Sequence, residues 1–394
     1  MKFFILGEYY KGLIPWLKED LPPSGMPSVS ALYEYLGNSE EHRFYSIIFN
    51  PDVSRKKYFP NGSVIQLIRF RFPVYLLWKF IVYFRLLYLG NKMIKKGNYD
   101  VVYGLSTFSS IAAFLGKRHG IFSVSRIYGT ILTKKVEKGQ YWQLYTRHIF
   151  EILAIKNPGD LFLCTKDGTQ FDKIARHFNS PRPVTMMYNG MDAELKQKLL
   201  EIPLVGKLPE SGLRMCYIAR IEPYKQQILA LEVVEELVNR YNRLDIQLNI
   251  LGTGSQEEKL KQWVKKQGLE KQIQFIPEIP HREILPFLAK HHISIFFYEG
   301  GNLGNAMWES ALSGRLIITN DSGNTGALFK DGINCLLEAE GAEFAKNMAR
   351  KINEHLGKDV SNITKCSRKD IDGVIDTWEA RLEKEMSLIQ CEND

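Results

Sequence analysis

Residues 293–314 read ISIFFYEGGNLGNAMWESALSG. Apart from Ser294, the first six residues are β-branched or aromatic, and polar residues do not alternate with them. Such a short apolar run reads as a strand buried on both faces. Gly300, Gly301 and Gly304 then crowd a tight turn, and the run from Asn305 to Ser313 has helical character. Outward from this stretch the same alternation repeats. LRMCYIARI (213–221), DIQLNIL (245–251), Ile273–Ile276 and LIIT (316–319) read as strands. Gln226–Tyr241, Gln256–Gln267 and Arg282–Lys290 read as the helices between them. Strands separated by helices imply an α/β fold with a parallel sheet covered on both faces.

The amino-terminal half has the same style. Phe3–Leu6, Phe44–Phe49, Val101–Tyr103, Phe122–Ile127, Leu161–Cys164 and Val184–Met187 are its strand candidates. At 394 residues the chain has room for two such domains, each doubly wound in the Rossmann manner. Residues 204–212, LVGKLPESG, shift to Pro, Gly and polar residues and read as a linker. The expected division is an amino-terminal domain over 1–206, a second over 207–370, and a helix over 371–394 that crosses back to the first. That helix carries one apolar stripe: Ile371, Val374, Ile375, Trp378, Leu382, Met386 and Ile389. Ligands of doubly wound sheets bind beyond the carboxyl ends of the strands, which points to a cleft between the domains.

The candidate chemistry gathers at those strand ends. Glycines let a ligand approach the backbone, and the helix that begins near Gly304 offers free N–H groups to an anion. A phosphate or diphosphate suits Gly301, Asn302, Leu303, Gly304 and Asn305; a bare βα turn is the plainer reading. The turn is neither a P-loop nor a G-x-G-x-x-G. Glu309 lies in an otherwise apolar helix, where a carboxylate needs a partner, and a pair of ligand hydroxyls would serve. Arg220 and Lys225 follow the strand 213–221 and could stabilise charge on a departing diphosphate; a solvated basic turn is the alternative. Gly252-Thr253-Gly254 follows the next strand. His291-His292 lacks ligand spacing, and no metal site is expected.

Charge is uneven. The formal net charge is +8, yet between Val53 and Tyr99 ten Lys/Arg stand with no Asp or Glu. Within that segment Phe, Tyr, Trp and Leu interleave with the cations. Nucleic-acid stacking, a membrane surface and a core helix with a solvated edge all share this composition. The apolar block is unbroken, which favours the membrane and disfavours nucleic acid. No run of 18 apolar residues predicts a spanning helix. Five widely spaced cysteines without C-x-x-C suit a reducing compartment. The first βα turn, after Phe3–Leu6, lacks G-x-G-x-x-G, which disfavours a redox dinucleotide enzyme.

Taken in order, Arg220-x4-Lys225, Gly252-x-Gly254, the glycine-rich turn with Glu309-x-Ala311-x-x-Gly314, and Asn324-Thr325-Gly326-x5-Gly332-x-Asn334 resemble the retaining glycosyltransferases of family 4, which have the GT-B fold. Tyr128-Gly129-Thr130 and Asn189-Gly190-Met191-Asp192 resemble its amino-terminal segments more weakly. The resemblance implies a nucleoside diphosphate sugar as donor and no metal or other cofactor. It implies Arg220 and Lys225 on the diphosphate, Glu309 on the ribose and the Leu303–Asn305 amides on phosphate and sugar. It also implies that the loop around Gly25 closes on the diphosphate. The chain departs from the family at three points. Gly301 stands eight residues before Glu309, where a second glutamate is frequent, and Glu299 is the nearest substitute. Tyr128 stands where a histidine is frequent, and the Gly25 loop has one glycine instead of two. The Asn-Leu-Gly-Asn turn resembles a subset among bacterial surface-polysaccharide enzymes. The expected function is therefore sugar transfer to a lipid-linked or other glycan acceptor, by a cytoplasmic protein peripheral on the inner membrane face through residues 53–99. A catalytically silent nucleotide-sugar-binding subunit is the alternative.

Overall fold

A computed structural model describes residues 1–10, 12–19, 26–301 and 303–393. The chain divides into two compact units. The first comprises residues 1–166, 170–190 and the segment from Trp378 on; the second comprises Asp167–Thr169 and Met191–Thr377.

Among the described residues of the first unit, eight strands form one sheet: β1 (Lys2–Gly7), β2 (Arg43–Asn50), β3 (Arg55–Tyr58), β4 (Val64–Arg69), β5 (Val101–Leu105), β6 (Phe122–Ile127), β7 (Leu161–Thr165) and β8 (Thr185–Met187). Their order is β3-β4-β2-β1-β5-β6-β7-β8. All neighbours run parallel except β3 and β4. The chain leaves β1 for β2 on one side and returns to β5 on the other, so the order reverses between β1 and β5. In the second unit β9 (Arg214–Ile218), β10 (Gln247–Leu251), β11 (Ile273–Ile276), β12 (Ile293–Phe296), β13 (Leu316–Asp321) and β14 (Leu336–Ala339) form a parallel sheet in the order β11-β10-β9-β12-β13-β14. Its order reverses between β9 and β12. Such reversals leave a crevice beyond the strand ends, because the following loops turn to opposite faces.

Two elements depart from the sequence reading. The block from Ile65 is not one continuous apolar element: β4 ends at Arg69, and a separate helix runs from Tyr75 to Ile94. The cations Arg55, Lys56 and Lys57 lie on β3, the edge strand, where charge discourages pairing with another chain. Segment 204–212 is not a linker. Val205 N–H donates to Gly314 C=O, and Leu208 N–H donates to Lys358 C=O, which binds the segment into the second unit. The units part at Gly190/Met191, not at residue 206.

The final helix is likewise split. Helix Ser361–Asp372 ends in the second unit, and Trp378–Asn393 packs in the first. Lys196 Nζ caps the break by donating to the carbonyls of Asp372 (3.3 Å) and Ile375 (2.6 Å). Leu382, Met386 and Ile389 bury the expected stripe. Among them Glu385 is also buried. It accepts from Tyr103 Oη and Arg381 Nη1 and lies 3.8 Å from Arg126 Nε. Those two guanidinium groups hold its carboxyl below the usual range despite burial.

Candidate active site

The reversal between β9 and β12 in the second unit gathers the residues singled out above. Arg220 lies two residues beyond β9. Lys225 closes the single 3-10 turn Pro223–Lys225, which precedes helix Gln227–Tyr241. The two strand-end loops are tied by buried Tyr217. Its hydroxyl lies within hydrogen-bond distance of the carbonyls of Lys225 and Phe297 and accepts the Phe297 N–H at 3.1 Å. Glu299 N–H donates to Tyr224 C=O (2.9 Å), a second tie.

Lys225 is a desolvated cation. Its ammonium lies 3.7 Å from the Tyr298 ring centroid and 5.4 Å from that of Tyr224. Burial pushes its pKa down to about 7, the Arg220 guanidinium pushes the same way, and Asp167 opposes them. Arg220 is exposed and donates to Tyr224 Oη at 2.6 Å. Two cations at one strand end, one of them half-buried, make a site that an anion relieves.

The glycine-rich turn is shaped by backbone contact. Gly301 has φ +72°, and a Cβ there would lie 2.1 Å from Ser322 O. A Cβ on Gly168 (φ +87°) would lie 1.7 Å from Gly301 O, and one on Gly323 would lie 2.3 Å from Gly300 O. Three loops thus interlock with no room for a side chain at any of these positions. The Leu303 N–H donates to Asp167 C=O (2.5 Å), and the Asn324 N–H to Gly168 C=O (3.0 Å). The Leu303 amide is therefore engaged by the Asp167–Thr169 segment and does not face an open anion site. Gly304 caps helix Asn305–Leu312 in extended conformation, and Asn305 opens the first turn. Asn302 and Gly25 lie outside the described residues.

Glu309 is 7% exposed, so its carboxylate is buried and needs a partner. Its Oε1 accepts from His281 Nε2 at 3.2 Å. That hydrogen bond raises the His281 pKa against the effect of burial, and Asp192 adds to the rise. His281 follows β11 on a 3-10 turn. No spacing in the sequence marks it, whereas Asp167-Gly168 is a recognisable turn dipeptide. Burial pushes the Asp167 carboxyl up to about 6, while its bonds from Thr169 and the Lys225 charge pull it down.

Gly252 and Gly254 answer to packing. A Cβ on either would lie 2.2 Å from a carbonyl oxygen, that of Ala219 or Ile221 respectively. They let the loop after β10 support the loop that carries Arg220. Tyr128 belongs to the first unit, where its ring lies 4.7 Å from the Arg126 guanidinium carbon. Burial raises its pKa. Among the described residues no group of three His, Cys, Asp or Glu is placed to hold a metal ion, and no helix is long and apolar enough to cross a membrane.

Comparison with known proteins bears on this arrangement. Residues 201–369 match the family described as Glycosyl transferases group 1. A 2-deoxystreptamine N-acetyl-D-glucosaminyltransferase of Niallia circulans is 25% identical over 144 residues, which is 36% of this chain and 35% of that enzyme. Among solved structures, Anabaena HepE in complex with UDP and glucose superposes with a TM-score of 0.67 at 13% identity, covering 98% of this chain and 99% of that one. Sucrose-phosphate synthase of Thermosynechococcus elongatus gives 0.71 at 12%, covering 99% and 98%. The lipopolysaccharide outer core galactosyltransferase WaaB gives 0.67 at 14%, covering 98% and 99%. The chain therefore has the GT-B fold of these structures, and its residues 201–369 match the glycosyl transferases group 1.

Proposed function

We propose that this chain transfers a sugar from a nucleoside diphosphate sugar to a lipid-linked glycan acceptor in bacterial surface-polysaccharide synthesis, with the anomeric configuration retained. The observation that carries this reading is the desolvated Lys225 beside Arg220 at the strand reversal of the second unit, next to the start of helix Asn305–Leu312. Lys225 and Arg220 hold the diphosphate and stabilise the charge that grows as the anomeric C–O bond breaks. Gly304 and Asn305 add the positive end of the helix. Glu309 accepts from the ribose hydroxyls. The acceptor oxygen bonds to the anomeric carbon on the face the diphosphate leaves, and its proton passes to the departing phosphate oxygen. Protein cations thus do the charge neutralisation, and no metal is required. Exposed aromatics and cations of the first unit support docking on the inner, anionic face of the cytoplasmic membrane.

The test is calorimetry with UDP, GDP and CMP, paired with a donor-turnover assay. Lys225→Ala and Glu309→Ala should abolish transfer without unfolding the protein; wild-type turnover in either defeats the site. A second reading, a nucleotide-sugar-binding subunit without turnover, draws on Gly301, where the structure has no space for a glutamate. Binding without turnover across donors and acceptors would favour it.

A further inference from the structure

The first unit has its own strand reversal, between β1 and β5, and a cavity of about 340 Å³ lies there. Glu8 and Tyr10 line it from the end of β1, Ser106 from the end of β5 and Tyr128 from the end of β6. It sets these polar groups among the apolar side chains of Met26, Val29 and Leu105, and the buried Tyr10 hydroxyl has no hydrogen-bond partner. Tyr9 lines this cavity and also a second one of about 480 Å³. The second cavity is chemically different: its other walls are Pro51, Phe72, Pro73, Trp78 and one cation, Arg71. The Tyr9 side chain that the two cavities share is held in place. Tyr9 Oη donates to Asp52 Oδ2 (2.6 Å), and the Asn50 carboxamide oxygen holds the turn that carries Asp52. Trp78 is also fixed, its indole N–H donating to Phe70 C=O at 2.8 Å.

A third cavity, of about 590 Å³, continues along the same helix, lined by Ile81, Phe84, Arg85 and Tyr88. Trp78, Ile81, Arg85 and Tyr88 recur at spacings of three and four, so the two apolar cavities lie on successive turns of one helix face. From Trp78 to Tyr88 that face is about 15 Å long. It ends at Phe84 and Tyr88, which are 63% and 67% exposed. A pocket of mixed polarity is linked through Tyr9 to an apolar trough that has Arg71 near its head and exposed aromatics at its tail.

We infer that this path binds a single-chain lipid phosphate. Its polar head lies with Glu8, Tyr10 and Tyr128, its phosphate with Arg71, and its hydrocarbon chain along the Trp78–Tyr88 face. One trough takes one chain, which separates this ligand from a two-chain glycerolipid. The charge also matches an anionic ligand: Arg71 lines the trough, and the Asp52 carboxylate next to its wall is engaged by Tyr9 Oη. This inference rests on the lipid-linked acceptor proposed above and gives that acceptor a location in the first unit.

The test is equilibrium binding of farnesyl phosphate, below its micelle concentration, to the full chain. Farnesol and inorganic phosphate supply the chain alone and the charge alone. Farnesyl phosphate should bind at least tenfold more tightly than either. Arg71→Gln should bring its affinity down to that of farnesol and leave farnesol unchanged. Phe72→Asp, at an exposed position that the fold does not need, should weaken both chain-bearing ligands at least tenfold. Tyr58→Ala, an exposed aromatic on β3, should change neither. Equal affinity in the wild type, Arg71→Gln and Phe72→Asp would show adsorption without a site and overturn the inference, as would farnesyl phosphate failing to bind. UDP binding, read in the same samples, reports the second unit. Its loss in the wild type would count against the proposed transferase, and its persistence beside a failed farnesyl phosphate titration would count against the trough alone.

Discussion

The interlocked glycines make a quantitative prediction. Gly301 combines two obstacles to a side chain: φ of +72° and a backbone oxygen 2.1 Å from where a Cβ would stand. Within the same unit Gly268 has only the first obstacle, at φ +68° with open space around it. Gly341 has neither. Placing an alanine in left-handed backbone costs about 1–2 kcal/mol. Forcing atoms into a packed site that must shift costs about 1–3 kcal/mol more. The series Gly341→Ala, Gly268→Ala, Gly301→Ala should therefore destabilise the second unit by roughly 0, 1–2 and 2–5 kcal/mol. For a unit of this size the last value lowers its melting temperature by about 4–20 °C. Differential scanning calorimetry reads it, and the transition of the second unit is the one that Glu385→Ala leaves in place. Gly301→Glu should fare no better than alanine, since its first side-chain atom meets the same oxygen. If Gly301→Ala melts with Gly341→Ala, the three loops do not interlock as described, and the absence of a glutamate eight residues before Glu309 has no steric cause.

Other outcomes follow from the charged groups. Glu385→Ala leaves Arg126 and Arg381 buried without their carboxylate and should cost about 3–5 kcal/mol in the first unit, read by thermal unfolding. Because the folded pKa of Glu385 is depressed, its contribution is present above the ordinary carboxylate pKa and fades as acid titrates through the folded value. UDP, which keeps Lys225 charged, should bind with proton uptake above pH 7 and lose affinity as pH rises from there, measured by calorimetry in buffers of different ionisation enthalpy. An absence of uptake would remove Lys225 from the diphosphate site. His281→Ala should weaken UDP about tenfold, the loss of one hydrogen bond to a charged group, and should shrink the preference for UDP over 2′-deoxy-UDP. His281→Gln, which keeps a donor near Nε2, should restore both, and a preference that is the same in all three proteins would separate His281 from the ribose.

The parallel sheet of the second unit was legible because its strands are buried on both faces. A strand such as Ile293–Phe296 is buried along its whole length and apolar apart from Ser294, and the sequence shows this directly. The edge strand Arg55–Tyr58 was not legible, since its residues face water and obey no alternation. Residue type and position beyond the strand ends single out Arg220, Lys225 and Glu309 as candidates. They concealed what each touches. His281 comes from a turn 28 residues before Glu309, and Asp167 lies 136 residues before Leu303, whose N–H it accepts. Local pattern has no access to contacts of that range. The split of the last helix was hidden for a related reason: the helical stripe runs through Gly373, and the side chain that satisfies the broken turn, Lys196, lies far upstream.

The charge of the chain acquires a sharper meaning from these placements. A net charge of +8 suggests an anionic ligand, but the cation at the strand reversal of the second unit is there at the cost of desolvation, and near pH 7 it is only partly charged. A group in that condition adds little to the long-range field and a great deal to a ligand that reaches it, because the anion restores the charge that burial suppressed. The cations between Val53 and Tyr99 behave in the opposite way. Arg55, Lys56, Arg69 and Arg71 are exposed and act at a distance of several ångströms through water and salt. Raising salt should therefore weaken the encounter of the first unit with an anionic surface far more than it weakens UDP in the second. One chain thus uses the same residue types in two electrostatic regimes, exposed charge for approach and suppressed charge for recognition.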